Sequence, residues 1–126
     1  MLQDNEPQYV DRIWLQGRIQ SVPTIKQLSP RTKMTSFLLV TVEQWRDDDG
    51  KPKTRNNLLP IEVIGRDSEE AFARARPGLW VTIEGYVRSD IVKGQNVHRV
   101  RTFNIHIWEH NAEPAGPSIK DDPTPA

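Results

Sequence analysis

"RDSEEAFARARPG", residues 66–78, has a helical pattern and lies between segments with the pattern of strands. Asp67 or Ser68 can cap a helix, and the two glutamates that follow suit its first turn. Pro77 and Gly78 then end the segment. A single short helix inside a series of strands predicts an all-β domain, and the position of that helix indicates which one.

Three strand-like segments precede this helix and two follow it. After the helix, Val81, Ile83 and Val87 share one face, which is the two-residue period of a half-buried strand. Residues 35–45 are apolar on both faces, so we expect a strand that is covered on both sides. The five segments are "RIWLQGRIQSV" (12–22), "TSFLLVTVEQW" (35–45), "LLPIEVIG" (58–65), "LWVTIEGYVR" (79–88) and "VHRVRTFNIHIWE" (97–109).

The order β-β-β-α-β-β, with the helix between strands three and four, is that of the five-stranded Greek-key barrel called the OB-fold. Gly17 and Gly85 fall inside predicted strands, where glycine suits the sharp coiling of a small barrel. Pro60 indicates a strand edge or a bulge, because proline has no N–H to donate. The sequence therefore predicts an all-β OB-fold barrel with one short helix, a fold that binds oligonucleotides or oligosaccharides.

The length of 126 residues predicts one domain with one modest core. We expect a flexible N-terminal arm at residues 1–10 and the OB-fold domain at residues 11–110. Residues 111–126, "NAEPAGPSIKDDPTPA", are rich in proline and poor in apolar side chains, which predicts a disordered acidic tail. The net charge is zero, but residues 11–110 carry 16 basic and 12 acidic side chains. The predicted domain is therefore mildly basic between two acidic ends.

Several function classes lack the residues that they need. The chain has no cysteine, which excludes disulfides, thiol catalysis and cysteine-ligated zinc. His106 and His110 are four residues apart, but no third metal ligand is evident near them. The acidic run at residues 47–49 lacks the alternation and the closing glutamate of a calcium loop. No catalytic triad, P-loop or dinucleotide motif is present, so we expect a non-enzymatic protein without metal or cofactor.

The sequence also contains no apolar run long enough to span a membrane and no secretory signal pattern at its start, "MLQDNEPQYV". We therefore expect a cytoplasmic protein without a membrane partner.

Four motifs resemble the bacterial single-stranded-DNA-binding proteins, a family of OB-fold proteins, over residues 13–108. The resemblance implies non-enzymatic binding of single-stranded DNA in replication, repair or recombination, with RNA as an alternative ligand. It also implies a nucleoid-associated homo-oligomer, with replication or repair proteins as further partners. The motifs are "LQGRI" (15–19), "FLLVTVEQWRDDDGK" (37–51), "VIGRDSEEA" (63–71) and "PGLWVTIEGYVR" (77–88).

In that family, a tryptophan at the position of Trp45 stacks on bases, and cations of the neighbouring loops bind phosphate. A base stacked on an aromatic side chain contributes ~1–3 kcal/mol in any sequence, and each neutralised phosphate adds affinity by releasing counterions. The alternative interpretation of residues 45–57 is a solvated hairpin tip. The nucleic-acid-binding residues that the resemblance implies are Trp45, Arg46, Lys51, Lys53, Arg55, Arg88, Lys93, Arg99 and Arg101.

The chain also departs from that family. Leu58, Leu59, Ile64 and Ile91 stand in regions where the family often has aromatic side chains. The sequence ends in "DDPTPA", where the family usually has an acidic run closed by Pro-Phe. The segment "LLPIEVIG" is similar to the third strand of primosomal replication protein N, so a replication-restart adaptor is an alternative. An OB-fold assembly element that binds no nucleic acid is another.

Apolar side chains on the faces opposite the predicted core indicate a subunit interface, because a monomer would expose them as a patch. We expect a homodimer or homotetramer, although exposed aromatic side chains can also stack on bases. The predicted interface residues are Trp14, Leu38, Val40, Val42, Trp80 and Tyr86.

Overall fold

The structure, a computed structural model, describes residues 7–109. Residues 7–10 form no regular element and are exposed, whereas residues 1–6 and the predicted tail at residues 111–126 lie outside the described residues. The elements are β1 (Ile13–Ile19), β2 (Thr24–Ser29), β3 (Thr32–Arg46), β4 (Pro52–Ile64), a 3-10 turn (Gly65–Asp67), α1 (Ser68–Arg74), β5 (Trp80–Val92) and β6 (Gln95–Ile107).

Five of these strands form a closed barrel. β1 pairs with β5, β5 with β6, β6 with β4, and β4 with β3. The barrel closes where β1 returns to β3, at the pairs Arg18–Val40 and Ile19–Leu39. β4 and β6 run parallel, and the other pairs are antiparallel. The prediction of a five-stranded OB-fold barrel with one short helix is therefore confirmed.

β2 is an additional strand that the sequence analysis did not predict. It pairs only with β3, within a hairpin whose connection is short, and it lies at the edge of the sheet. Its side chains are mostly exposed. It therefore belongs to the sheet through backbone hydrogen bonds and contributes little to the core.

The core contains side chains from the inner face of the barrel and from one side of α1. Leu39, Ile61 and Ile83 are fully buried at its centre. Ala71 and Ala75 bring the helix against this cluster, so the helix covers one end of the barrel. The buried cluster consists of Ile19, Phe37, Leu39, Ile61, Val63, Ala71, Ala75, Val81, Ile83, Val100 and Ile107.

Glycine is required at two places where strands cross closely. A Cβ atom on Gly17 would lie 2.2 Å from the carbonyl oxygen of Val40, and one on Gly85 would lie 2.2 Å from that of Arg101. Both distances are far below van der Waals contact, so a side chain at either position would push the strands apart. The two strand glycines thus permit the tight coiling that closes the barrel.

The β3–β4 hairpin extends well beyond the core. Its strands pair without interruption from Met34–Ile64 to Arg46–Pro52, whereas the buried core residues of β3 end at Leu39. The sequence of residues 45–57 is that of a charged hairpin tip, but the turn itself is much shorter, and most of this segment is paired strand. The hairpin is therefore an arm that presents side chains outside the barrel.

The β5–β6 hairpin is also longer than the sequence predicts. The sequence leaves "SDIVKGQN" (89–96) as a loop between two predicted strands, but Val92 pairs with Gln95 and only two residues make the turn. These are Lys93 and Gly94, with φ angles of 52° and 78°. Positive φ at both turn positions matches the right-handed twist of hairpin strands, so a two-residue connection suffices.

Candidate nucleic-acid interface

The tip of the β3–β4 hairpin is organised by one carboxylate. Asp47 Oδ1 accepts hydrogen bonds from the backbone N–H groups of Asp49, at 3.0 Å, and Lys51, at 2.8 Å. The backbone N–H of Asp47 donates to the carbonyl of Lys51 at 2.9 Å, and Gly50 has a φ of 78°. At least one of the three acids in "RDDDGK" thus shapes the turn rather than facing a ligand.

Trp45 lies near the outer end of β3, and 42% of its surface is exposed. It pairs with Lys53 of β4, and Glu43 pairs with Arg55 in the same ladder. Side chains of paired residues in an antiparallel sheet project from the same face. An exposed aromatic ring and two cations therefore share one surface, which we call the hairpin face and define as Thr41, Glu43, Trp45, Lys53, Arg55 and Asn57.

The cations of this hairpin differ in how far they are engaged. Lys53 Nζ lies 3.8 Å from Asp47 Oδ2, a loose and exposed ion pair. Lys51 and Arg55 are exposed and have no carboxylate partner within residues 7–109. Arg46 is placed differently, because it pairs with Pro52 on the opposite face and its Nη1 donates to the carbonyl of Gly50 at 2.8 Å. Arg46 therefore holds the turn, while the other three remain available to an anion.

The predicted cations of the β5–β6 hairpin are mostly bound to acids. Arg99 contacts Glu62 and Asp90, each at 2.9 Å. Arg101 donates to Glu62 Oε1 from Nε at 3.2 Å and from Nη2 at 2.9 Å. Arg88 lies 3.5 Å from Asp90. These three arginines form one ion-pair network, so they are less available to phosphate than the sequence analysis assumed.

Glu62 is the centre of this network, and sequence reasoning missed it. Its side chain is only 3% exposed, and both of its carboxylate oxygens are paired with arginines. A glutamate within the apolar segment "LLPIEVIG" is the signal that could have revealed it, because buried carboxylates require cationic or hydrogen-bonding partners. The remaining predicted cation, Lys93, is exposed at the turn and has no ion pair in the described part of the chain.

The predicted interface residues lie on the outside of the barrel but in separate places. Leu38, Val40 and Val42 form an outward row along β3, with Leu38 36% exposed. Val40 and Val42 are partly exposed, so the outer face of β3 is only partly covered, whereas the sequence predicts a strand covered on both sides. Trp14 is 73% exposed on β1. These four residues, which we call the outer strip, are the members of the predicted interface whose apolar side chains are exposed or partly exposed outside the barrel.

Trp80 and Tyr86 are not simply exposed apolar residues. The guanidinium of Arg18 lies 4.9 Å from the centre of the Trp80 ring and covers part of it. Tyr86 pairs with Arg101, away from the outer strip. Sequence reasoning missed Trp108, which follows β6 and whose Nε1 donates to Thr82 Oγ1 at 3.0 Å.

The described residues contain no group of three or more histidine, aspartate or glutamate side chains arranged to hold a metal. His106 contacts Trp108 edge-on at 4.6 Å, and His110 lies outside the described residues. Within the part of the chain that the structure describes, no helix is long and apolar enough to cross a membrane.

The sequence matches the model of the single-strand binding protein family over residues 10–113. The chain belongs to this family. A comparison with curated proteins gave no significant match. Because the family match covers most of the chain, including both hairpins and the whole barrel, the prediction from the four motifs is confirmed. The protein is a non-enzymatic single-stranded-DNA-binding protein.

Solved structures share the fold at low sequence identity. A Plasmodium falciparum single-strand binding protein in complex with single-stranded DNA aligns with a TM-score of 0.74 and 20% identity, covering 82% of this chain and 99% of that one. A deletion mutant of the Thermus aquaticus single-stranded DNA binding protein gives 0.73 and 15%, covering 80% and 51%. The small single-stranded DNA-binding protein of Streptomyces coelicolor gives 0.61 and 16%, covering 82% and 100%.

Proposed function

We propose that the chain binds single-stranded DNA on the hairpin face and the adjoining turn, with Trp45 as the stacking platform and Lys51, Lys53 and Arg55 as the phosphate contacts. The observation that supports this most strongly is the pairing of Trp45 with Lys53 and of Glu43 with Arg55. This register puts an exposed ring and cations on one side of an arm that extends beyond the barrel. Single-strand binding needs this combination, because bases stack on aromatics while cations follow the backbone.

The same geometry favours single strands over duplex. A stacking platform contacts the flat face of a base, and in a duplex those faces are covered by neighbouring base pairs. Stacking and phosphate contacts are also independent of sequence, because every base has a flat face and every nucleotide a phosphate. RNA offers the same two features, so it stands as an alternative ligand.

The β5–β6 hairpin makes a smaller contribution in this proposal. Lys93 projects from a tight turn and adds one cation. Arg88, Arg99 and Arg101 are balanced by Asp90 and Glu62, so a phosphate would have to compete with these acids. Arg46 contributes to DNA binding indirectly, because it holds the hairpin turn.

We also propose that the protein forms a homodimer or homotetramer through the outer strip. The apolar row on β3 and Trp14 on β1 would otherwise face water. β1 supports this, because Ile13–Gly17 pair with β5 on one side and have no strand partner on the other side within the described residues. An unpaired strand edge is a ready site for another chain. Of the other two residues predicted for the same interface, Trp80 lies beside the strip, because Arg18 pairs with both Trp80 and Val40, and Tyr86 lies outside it.

The pathway follows from the binding activity. A protein that holds single strands without sequence preference serves replication, repair or recombination, in the cytoplasm at the nucleoid. Residues 11–110 are the proposed binding domain, with residues 1–10 as an arm and residues 111–126 as a tail. A primosomal adaptor role is the second candidate; it rests on the resemblance of "LLPIEVIG" and on the departures from the family in stacking aromatics and in the end of the sequence.

The test is a titration of labelled oligo-dT and a matched duplex at several salt concentrations. We expect tight single-strand binding that weakens steeply as salt rises, and much weaker duplex binding. If the protein has no affinity for single strands that salt can reduce, the proposal is wrong and the assembly-element alternative is favoured. If duplex binds equally well, stacking on Trp45 is not the basis of binding and the proposal is also wrong.

A further inference from the structure

Glu43 is the one acidic residue among the six that form the hairpin face. It is exposed on β3, two positions before Trp45, and Arg55 lies directly across from it in the ladder. The other two ionisable side chains of this face are cations. A carboxylate beside phosphate-binding cations repels the strand that the face is proposed to bind, so its presence there requires a physical reason.

The contacts of Glu43 within the protein do not supply that reason. Its carboxylate forms no ion pair with any cation in residues 7–109, although Arg55 is its cross-strand partner. Its one hydrogen bond to a described residue comes from Asn57 Nδ2, and the distance of 3.4 Å to Glu43 Oε1 is long for such a bond. The carboxylate is therefore available to a hydrogen-bond donor of a ligand.

The spacing between Glu43 and Trp45 matches one nucleotide of an extended strand. Residues two positions apart in a β-strand project from the same face and are separated by about 6.8 Å, at 3.4 Å per residue. An extended single strand advances by a comparable distance per nucleotide. When one base stacks on Trp45, the next nucleotide along the hairpin face therefore lies beside Glu43.

The chemistry of a carboxylate distinguishes between bases. An ionised carboxylate accepts hydrogen bonds and cannot donate one. Cytosine, adenine and guanine each carry an exocyclic amine that donates, whereas thymine has a carbonyl oxygen where cytosine has its amine. The one ring N–H of thymine or uracil lies between two carbonyl oxygens, and these repel a carboxylate. Glu43 therefore attracts the edge of a base that has an amine and repels the edge of thymine or uracil.

We propose that Glu43 is a specificity-determining residue of the hairpin face. Its carboxylate accepts a hydrogen bond from the exocyclic amine of the base next to the one on Trp45, and it disfavours thymine or uracil at that position. The inference rests on the proposed function, because it requires the strand to lie on the hairpin face. It adds a modest base preference to stacking and phosphate contacts that are themselves independent of sequence.

The test compares oligo-dC with oligo-dU of the same length, because their bases differ only at ring positions 3 and 4. Fluorescence anisotropy gives both affinities for the parent protein and for Glu43→Gln, at a slightly alkaline pH where cytosine is unprotonated. The glutamine amide can donate to the uracil carbonyl, and its own carbonyl is a weaker acceptor than a carboxylate for the cytosine amine. The ratio of dC affinity to dU affinity should therefore fall about three- to tenfold.

Asp48→Asn is the matched control for charge. Asp48 is exposed in the turn of the same hairpin and lies outside the hairpin face, so this change removes an equal charge close by. It should alter both affinities by the same factor and keep the parent ratio. Asn57→Ala removes the one hydrogen-bond partner of Glu43 among the described residues, and it should also keep the ratio, because the carboxylate remains.

An unchanged ratio in Glu43→Gln overturns the inference, and so does an equal fall of the ratio in Asp48→Asn or Asn57→Ala. Trp45→Ala distinguishes this failure from a failure of the proposed function. If Trp45→Ala loses affinity for both strands while Glu43→Gln keeps the parent ratio, the hairpin face binds DNA without distinguishing the base. If Trp45→Ala binds both strands as the parent does, the strand does not stack on this face, and both proposals are wrong.

Discussion

Removing the three available cations of the β3–β4 hairpin should change how DNA binding depends on salt. The variant is Lys51→Ala, Lys53→Ala and Arg55→Ala together. Each phosphate contact on a single strand contributes about 0.7 to the slope of log affinity against log salt. Lys51 and Arg55 have no carboxylate partner in residues 7–109, and the 3.8 Å contact of Lys53 with Asp47 is loose. All three cations should therefore contribute to the slope.

The expected slope is smaller than that of the parent protein by up to about 2. A fourfold rise in salt should consequently cost the variant up to about 18-fold less affinity than it costs the parent. The assay is fluorescence anisotropy of labelled oligo-dT at four or more salt concentrations. Several unrelated sequences should lose affinity about equally, because phosphate contacts carry no sequence information.

A matched control separates local contacts from total charge. Lys26→Ala, Arg31→Ala and Lys33→Ala remove the same charge from β2, the β2–β3 connection and the start of β3, away from the tip of the β3–β4 hairpin. Lys33 contacts Glu69, but that pair is exposed and contributes little stability. We expect this control to keep nearly the parent slope. Equal slopes for the two triple variants would refute the assignment of the phosphate contacts to this hairpin.

Three further predictions concern assembly, the ion-pair network and the tail. Light scattering should give a mass two or four times 14.5 kDa, and Val40→Glu should reduce that mass. If the parent protein is a monomer at micromolar concentration, the outer strip is not a subunit interface. Asp90→Asn and Glu62→Gln should each steepen the salt slope of DNA binding, by up to about 0.7 for every arginine that is released. Glu62→Gln should in addition lower the free energy of unfolding by about 3 kcal/mol, measured by urea denaturation. An unchanged slope in both variants would mean that the arginines do not reach phosphate. Deletion of residues 111–126 should leave the melting temperature unchanged and the DNA affinity equal or higher, because an acidic segment competes with phosphate; a clear loss of stability would show that the barrel needs them.

The barrel strands could be predicted because their inner faces alternate. Val81 and Ile83 of β5, for example, are fully buried in the core, as their spacing predicts. The helix could be predicted from its end signals and the change of period. These patterns reflect burial, so the sequence predicts well those elements that have one face in the core.

The elements that were missed bury little. β2, "TIKQLS", is exposed along nearly its whole length, so no alternation marks it. The inner part of β4 could be predicted, whereas residues 52–57 are polar and are strand only because β3 pairs with them. Backbone pairing alone leaves no pattern in the side chains.

The site was predictable only in part, for a related reason. Trp45 closes an apolar strand and is followed by charged residues, so its exposure could be expected. The contact of Glu62 with Arg101 depends on the parallel pairing of β4 with β6, which brings together residues 39 positions apart. A single sequence does not contain that pairing, so all the arginines of the last hairpin looked equally available.

The most direct test of the central claim is the affinity of Trp45→Ala for labelled oligo-dT. Stacking contributes ~1–3 kcal/mol per base, so we expect affinity to fall about 5- to 150-fold. Circular dichroism should be unchanged, because Trp45 lies outside the buried cluster. Phe72→Ala is the matched control, since Phe72 is also 42% exposed but lies on α1. Parent-like affinity in Trp45→Ala, or an equal loss in Phe72→Ala, would contradict the stacking platform and leave residues 45–57 as a hairpin without a binding role.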